Sequence, residues 1–420
     1  MLVGWSGFIK MKCILHIGTE KTGTTLLQRW LYNNEEEINR NGYYLTKGFA
    51  HPNNWRIPVY FSDSDKHYFL RKERIYSKEQ KALYFSNFLR DFNSELSSSR
   101  NFHTWIVTSE HFVDALKKPE EILRLQDFLK KKFSEVKIIC YFREQSDMAR
   151  SLYSTTLKGD ATYSYDSFLD QVKPENYSFN PYKIATNWSD AFGLDHCVFR
   201  IYDKNQFIHS DIRLDFLHAI GFVGNYERLS FEISSENVSI SALQAPIFQS
   251  INDHLPYMDG VDAVRAKNRW IKVKINAIDD LKYGRFHTIR EREIRDMFAQ
   301  VNSDFESKFI SGEKKFPISE VRCEDITFRQ SDVENILEKV SEVFMSEISN
   351  LVEENVALEN ILEGGERPPT LYRWFKYQQV MFDYRIHKWL SEMRFVSSKK
   401  RMKFKGVAEK RMQKLKSGQY

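Results

Sequence analysis

The amino-acid sequence predicts an α/β protein whose doubly wound parallel sheet is flanked by helices and followed by a mainly helical C-terminal half. Through the first half of the chain, short and nearly continuous apolar runs alternate with helical patterns. This alternation is typical of buried parallel strands and their crossover helices. After about residue 235 the strand-like runs fade and amphipathic helical patterns take over. Together these observations favour an α/β core with helical additions.

Individual elements follow from the same patterns. The clearest strands are predicted at KCILHI (12–17), TWIVTS (104–109), VKIICYF (136–142) and HCVFRIY (196–202). Helical patterns of the first half fall at about 24–38, 78–97, 119–132, 145–158, 181–191 and 211–220. In the second half, amphipathic patterns predict helices over 290–310 and 331–355.

Composition and charge exclude several classes of protein. Hydrophobic residues make up 42% and charged residues 28% of the chain, as in ordinary soluble globular proteins, and no run is as long as the ~18 apolar residues of a membrane span. The four cysteines lack metal-ligand spacing, so we expect free thiols in a reducing, cytoplasmic compartment. Residues 399–416 include nine basic residues and one acid, which is more than the net charge of +5 of the whole chain. The rest of the chain is therefore not a general polyanion binder, and no nucleic-acid partner is expected.

The stretch KCILHIGTEKTGTTLLQRWL (12–31) reads as a strand, a Gly/Thr-rich turn and a helix. Gly18 and Gly23 have the spacing of a Walker loop, yet Lys21 precedes the second glycine, and Thr24 and Thr25 follow it. Backbone N–H groups and the helix dipole favour an anion at such a turn, and the lysine adds a full charge. The alternative is a tight strand-to-helix turn with a threonine N-cap.

A second strand-anchored element occurs in KIICYFREQSDMARSLYSTTLKGD (137–160). Arg143 stands at the end of the strand, and Ser151 lies about two helical turns further on. These side chains could converge on a second phosphate, because arginine offers paired donors and the hydroxyl a third. The alternative for Arg143 is a surface ion pair with Glu144 or Asp147.

Together the two elements resemble the PAPS-dependent sulfotransferase superfamily, where PAPS is 3′-phosphoadenosine 5′-phosphosulfate, and they are most similar to bacterial, carbohydrate-type members. KTGTT (21–25) looks like the family's P-K-S-G-T-T loop, and REQSDMARS (143–151) matches R-N-P-x-D-x-x-x-S in its Arg, Asp and Ser. The likeness covers about 11–235. Departures from the family pattern are Glu20 for proline, Thr22 for serine, and Glu144-Gln145 for Asn-Pro.

The resemblance implies a P-loop-like sheet and transfer of a sulfuryl group from PAPS to an acceptor hydroxyl or amine. Its products would include adenosine 3′,5′-bisphosphate, and no metal would be required. The acceptor would be a glycan, a cell-surface carbohydrate or a small molecule. By the same resemblance, the 5′-phosphosulfate would be held by Lys21, Thr22, Gly23, Thr24 and Thr25, and the 3′-phosphate by Arg143 and Ser151.

The predicted domains follow the same likeness. Residues 11–235 would form the PAPS-binding α/β core, and 236–362 a helical region that completes the core or the acceptor site. After the hinge-like EGGERPP (363–369), residues 370–420 would form an aromatic and basic helical appendage. Three roles stay open for it: packing on the enzyme's own body, peripheral contact with an anionic membrane, or attraction of an acidic glycan.

Lysine in the turn suits sulfuryl transfer, because charge grows on the bridging oxygen as sulfate leaves and a nearby cation stabilises it. A catalytic base is also needed. The candidates are Glu110, which directly follows a strand in IVTSEHF, and His51 in GFAHPNNW. Glu110 could instead be an acid favoured by a helix N-terminus.

Two other functions fit less well. A P-loop kinase or NTPase would share the layout, but Lys21 is misplaced and no Walker B acid is evident beyond Glu110. An inactive sulfotransferase-like binding protein would have no need to keep Lys21, Arg143 and Ser151 together.

Overall fold

The structure is a computed structural model. It describes residues 11–232, 239–255, 262–282, 284, 290–317, 335–336, 338–347, 349–350, 405, 409–410 and 412–413. The aromatic and basic appendage predicted over 370–420, apart from five isolated residues, lies outside the described residues. Of the predicted helix over 331–355, the described positions between 335 and 350 are helical.

The core of the protein is a five-stranded sheet, and all of its neighbouring strands pair in parallel. In space the order is β2-β3-β1-β4-β5. The predicted α/β fold with a parallel sheet is therefore confirmed, and all four predicted strands are present. The strands in chain order are β1 (Lys12–His16), β2 (Tyr43–Leu45), β3 (Thr104–Thr108), β4 (Glu135–Phe142) and β5 (Cys197–Ile201).

Helices connect the strands and continue into the later half. Up to β5 they are α1 (Thr24–Asn33), α2 (Glu35–Arg40), α3 (Arg56–Phe61), α4 (Tyr68–Lys72), α5 (Lys78–Tyr84), α6 (Phe88–Ser98), α7 (His111–Ala115), α8 (Pro119–Lys132), α9 (Gln145–Lys158), α10 (Tyr165–Leu169) and α11 (Pro181–Phe192). Those after β5 are α12 (Ile212–Ile220), α13 (Gln244–His254), α14 (Asp262–Asn276) and α15 (Arg290–Phe309). The described part of the later half is thus mostly helical, as predicted.

Two predicted helices are each divided into two. The segment 24–38 breaks at Asn34, whose Nδ2 donates to the carbonyls of Trp30 (2.9 Å) and Ser230 (3.0 Å) while its Oδ1 accepts from the Ser230 amide. These bonds to a distant residue fix a bend that periodicity alone does not reveal. The segment 78–97 likewise breaks at a turn over 85–87.

Apolar side chains cover both faces of the sheet. On β4, Ile138 and Cys140 belong to one buried cluster, while Ile139 and Tyr141 belong to another on the opposite face. Successive strand residues point to opposite faces. The nearly continuous apolar runs are therefore explained by burial on both sides.

The chain divides into two compact units. The first comprises Met1–Ser241, Phe248–Gly260 and Arg285–Cys323, and the second comprises Ala242–Ile247, Val261–Gly284 and Glu324–Tyr420. The sheet and α15 belong to the first unit, where α15 packs against α9 and α11. None of the helices in the described part of the chain is long and apolar enough to cross a membrane.

Candidate active site

The candidate site lies beyond the carboxyl end of β1, the middle strand of the sheet. A loop over 17–23 leads from β1 into α1, and Arg143 follows the adjacent strand β4. In open α/β sheets, ligands bind in the crevice outside the carboxyl ends of the strands, where the strand order reverses. The fold therefore brings the two predicted phosphate elements to neighbouring strand ends.

The turn ends at Gly23, which has φ +73° and immediately precedes α1. A Cβ added at Gly23 would lie 3.1 Å from the Tyr202 ring and from Ile212 Cδ1. Glycine therefore meets both the backbone conformation and the close packing at this point. Thr24 and Thr25 are the first two helical residues, and no side chain caps the helix. The threonine N-cap suggested as an alternative is thus absent, and amides of the first helical turn lack intrahelical acceptors.

Lys21 has a left-handed backbone with φ +66°, although it carries a side chain. Such a conformation is strained and is concentrated at functional sites. Its Nζ donates to Thr155 Oγ1 at 2.6 Å. Burial lowers the pKa of Lys21, and Arg143 lowers it further, while Glu20 and Glu110 raise it. The next residue, Thr22, is buried and donates its hydroxyl to the Thr19 carbonyl at 2.6 Å.

Arg143 reaches back to the turn. Its Nη1 donates to the Lys21 carbonyl at 3.1 Å, and its guanidinium lies 5.6 Å from the centre of the Tyr202 ring. Within the described residues, no ion pair joins Arg143 to Glu144 or Asp147. Instead, Asp147 pairs with Arg150 at 2.9 Å. The surface ion pair considered for Arg143 is therefore not formed.

One face of α9 completes the basic side of the site. Ser151, Thr155 and Lys158 follow one another at helical spacings of four and three, so they share a face. The contact between Lys21 and Thr155 places this face against the turn. Burial lowers the pKa of Lys158, and Lys21 lowers it further. Lys21, Arg143 and Lys158 therefore bring positive charge together here, as an anionic ligand requires.

Glu110 stands at the end of β3, directly before α7. It makes no side-chain cap to that helix. Buried Gln28 on α1 donates its Nε2 to Glu110 Oε2 at 2.7 Å, and His111 Nε2 lies 3.7 Å from Glu110 Oε1. The carboxylate is therefore oriented by α1 rather than by a helix N-terminus. His51, the other candidate base, is exposed and packs edge-on against the Tyr32 ring with centroids 5.0 Å apart.

Glu20 brings a further acid to the turn. Burial raises its pKa to about 7, helped by Asp114 and Glu110 and opposed by Lys21 and Lys117. Asp114, on α7, therefore adds negative charge on the same side of the site as Glu110. The site consequently has a basic side facing α9 and an acidic side facing α7.

Several residues of this site were not identified from the sequence. Thr155 and Lys158 share the helical face of Ser151, a spacing that could have pointed to them. Gln28 gave no signal, because its role depends on a contact 82 residues away in the chain. Glu20 was noted only as a departure from the family pattern.

Comparisons with known proteins give few relatives. No family model matches the chain. A protein of Archaeoglobus fulgidus named "Uncharacterized protein" is 29% identical over 232 residues, which span 54% of this chain and 59% of that protein. The crystal structure of a sulfotransferase from Alicyclobacillus acidocaldarius is similar with a TM-score of 0.38 and 15% identity, covering 70% of this chain and 94% of that one.

Proposed function

We propose that this protein is a PAPS-dependent sulfotransferase that modifies a carbohydrate hydroxyl in the cytoplasm or at the inner face of the membrane. The observation that carries the proposal is the hydrogen bond from Arg143 to the Lys21 carbonyl. It joins two phosphate-binding elements that lie 122 residues apart in the chain. Two neighbouring anion-binding elements suit a donor that carries a 3′-phosphate as well as a 5′-phosphosulfate.

The residues fit such a donor. Lys21 with the amides that begin α1 would hold the 5′-phosphosulfate, and Arg143 with Ser151 the 3′-phosphate. When bound, PAPS supplies an activated sulfuryl group. The part of Lys21 is to stabilise charge on the bridging oxygen as the bond to sulfur breaks. For this its side chain must leave Thr155, and a hydroxyl is a readily exchanged partner.

Glu110 is proposed to accept the proton of the acceptor hydroxyl, held for this by Gln28 at 2.7 Å. The class of acceptor is proposed from the charge of the site. Glu20, Glu110 and Asp114 gather acidic groups on one side of the site. An uncharged sugar hydroxyl suits this environment better than an acidic glycan does. Buried free thiols at Cys13 and Cys140 support the cytoplasmic location.

The direct test is to incubate the full chain with PAPS and a panel of neutral glycans and to search for sulfated product by mass spectrometry. Lys21→Ala should lower turnover by at least about 100-fold with a smaller loss of nucleotide affinity, because the contact strengthens in the transition state. The matched control is Lys12→Ala, which removes an exposed lysine paired with Glu135. Turnover at the wild-type rate in Lys21→Ala would contradict the proposed mechanism.

A further inference from the structure

A cluster of two histidines and one aspartate lies beside the acidic side of the site. It consists of His67, just before α4, and His111 and Asp114 on α7. One potential ligand atom from each residue lies within 4.8 Å of those from the other two. Neither the sequence motifs nor the proposed transfer reaction uses this group as a unit.

The spacing of the cluster suits a transition-metal ion. His67 Nε2 lies 3.4 Å from Asp114 Oδ2. Two ligands of a tetrahedral zinc ion, each about 2.1 Å from the metal, are separated by about 3.4 Å. The His67–Asp114 pair therefore already has the separation of two ligands, and His111 needs only a side-chain adjustment to join them.

His67 gives an independent indication. Its side chain is 4% exposed, and its Nε2 atom, although 3.4 Å from Asp114 Oδ2, makes no hydrogen bond of good geometry among the described residues. Apart from this ion-pair contact the buried atom is unsatisfied, and a metal ion shared with Asp114 would satisfy both groups. The other ring nitrogen, Nδ1, faces the Phe69 amide at 3.3 Å, which is a long contact. On metal binding the ring proton would move to Nδ1, and this weak bond would be lost.

Neighbouring groups would steady the ligands. Lys117 Nζ lies 3.4 Å from Asp114 Oδ1, the oxygen not directed at His67. The Phe69 ring packs edge-on against His111 with centroids 4.9 Å apart, whereas the Asn53 amide, whose Nδ2 lies 3.4 Å from His111 Nε2, would have to leave that nitrogen to the metal ion. Polar contacts to the ligands and an apolar wall beside them are the usual surroundings of a metal site.

We propose that His67, His111 and Asp114 bind one divalent transition-metal ion, with Zn²⁺ as the favoured ion. Two imidazoles and one carboxylate are a ligand set that zinc accepts, leaving one coordination position open. Because His111 Nε2 is 3.7 Å from Glu110 Oε1, the ion would lie near the proposed catalytic base. The inference does not rest on the proposed transferase activity, since metal binding by the protein alone decides it.

The experiment titrates the tag-free, metal-stripped full chain with Zn²⁺ by calorimetry and with Co²⁺ by visible absorption. We expect one strongly bound ion per chain, with affinity at least about 10-fold lower in His67→Gln, His111→Gln and Asp114→Asn, a loss seen even when only outer partners of metal ligands are removed. The control is His196→Gln, which changes an exposed histidine outside the cluster.

Circular dichroism of each metal-free variant checks its folding. If buried His67 does not tolerate the change, Asp114→Asn carries the test, because the Asp114 side chain is 39% exposed. Equal affinity in wild type and in a folded Asp114→Asn variant, or no strongly bound ion in wild type, would overturn the proposal.

Discussion

At the scale of single residues, the titration of Glu20 would make binding of the proposed nucleotide depend on pH. Its pKa is raised to about 7, mainly by burial, so the folded protein favours the neutral carboxyl. Its contribution to folding stability is fully present below the ordinary glutamate pKa of 4.5 and is lost as the pH rises through about 7. Above that pH the carboxylate also places a negative charge beside Lys21, where the ligand's own charge must lie.

We therefore predict that affinity for adenosine 3′,5′-bisphosphate falls as the pH rises from about 6 to 8, and that Glu20→Gln flattens this fall. Calorimetry across the range measures both proteins. The variant keeps a neutral side chain of similar shape, so it isolates the charge. An identical slope in variant and wild type would show that Glu20 does not titrate beside the ligand.

The second prediction at this scale concerns the base. Glu110→Gln should lower transfer by at least about 100-fold, because the amide cannot accept the proton, while nucleotide affinity stays unchanged. The measurement is turnover by mass spectrometry beside calorimetry on the same protein. His51→Ala is the comparison variant. Should Glu110→Gln remain active and His51→Ala be inactive, the base is His51.

At the scale of elements, a buried ion pair fastens α15 to α9. Glu291, whose side chain is 0% exposed, accepts from Arg150 Nη2 at 3.0 Å and from Tyr165 Oη at 3.1 Å. Removing Glu291 leaves Arg150 paired with Asp147 at 2.9 Å and takes away an acceptor of the Tyr165 hydroxyl. The helix that follows the α/β region is thereby joined to the helix that carries Ser151.

We predict that Glu291→Ala lowers the free energy of unfolding by about 1.5–3 kcal/mol, the range for lost hydrogen bonds to a charged group. The control on the same helix is Glu293→Ala, an exposed residue whose replacement should change stability by less than about 0.5 kcal/mol. Urea unfolding of both variants gives the comparison. Equal stability of the two variants would mean that the pair contributes nothing beyond its desolvation cost.

The elements also show what the sequence could predict. Strands β1, β3, β4 and β5 were predicted because burial on both faces leaves a nearly unbroken apolar run. Strand β2 was missed, since its three residues, Tyr43–Leu45, are too short for any pattern. The break at Asn34 was missed because it depends on Ser230, 196 residues away.

The candidate site was predictable to a similar extent. Lys21 and Arg143 could be expected to meet, because each follows a strand and neighbouring parallel strands end at one edge of a sheet. Gln28, Glu20 and the histidine cluster depend on loops and short helices whose paths no local pattern fixes. Sequence reasoning therefore predicted which residues form the basic side of the candidate site better than those of its acidic side.

At the scale of the whole molecule, the parallel sheet and the two predicted anion-binding elements together would decide which nucleotide binds. A Walker-type NTPase and a sulfotransferase share a parallel sheet with a phosphate turn, but they differ in the second anion site. Arg143 beside the turn is the feature that would recognise a 3′-phosphate. Binding of the desulfated nucleotide is therefore the property that separates the two classes of protein.

The most direct measurement is calorimetry of the full chain with adenosine 3′,5′-bisphosphate and, separately, with ATP and Mg²⁺. We predict binding of the bisphosphate at one site, weakened by about 2–4 kcal/mol in Arg143→Ala because a charged paired contact is lost. Arg90→Ala, at an exposed arginine, should bind as wild type does. No binding of the bisphosphate at millimolar concentration, together with clear binding of ATP, would contradict the account.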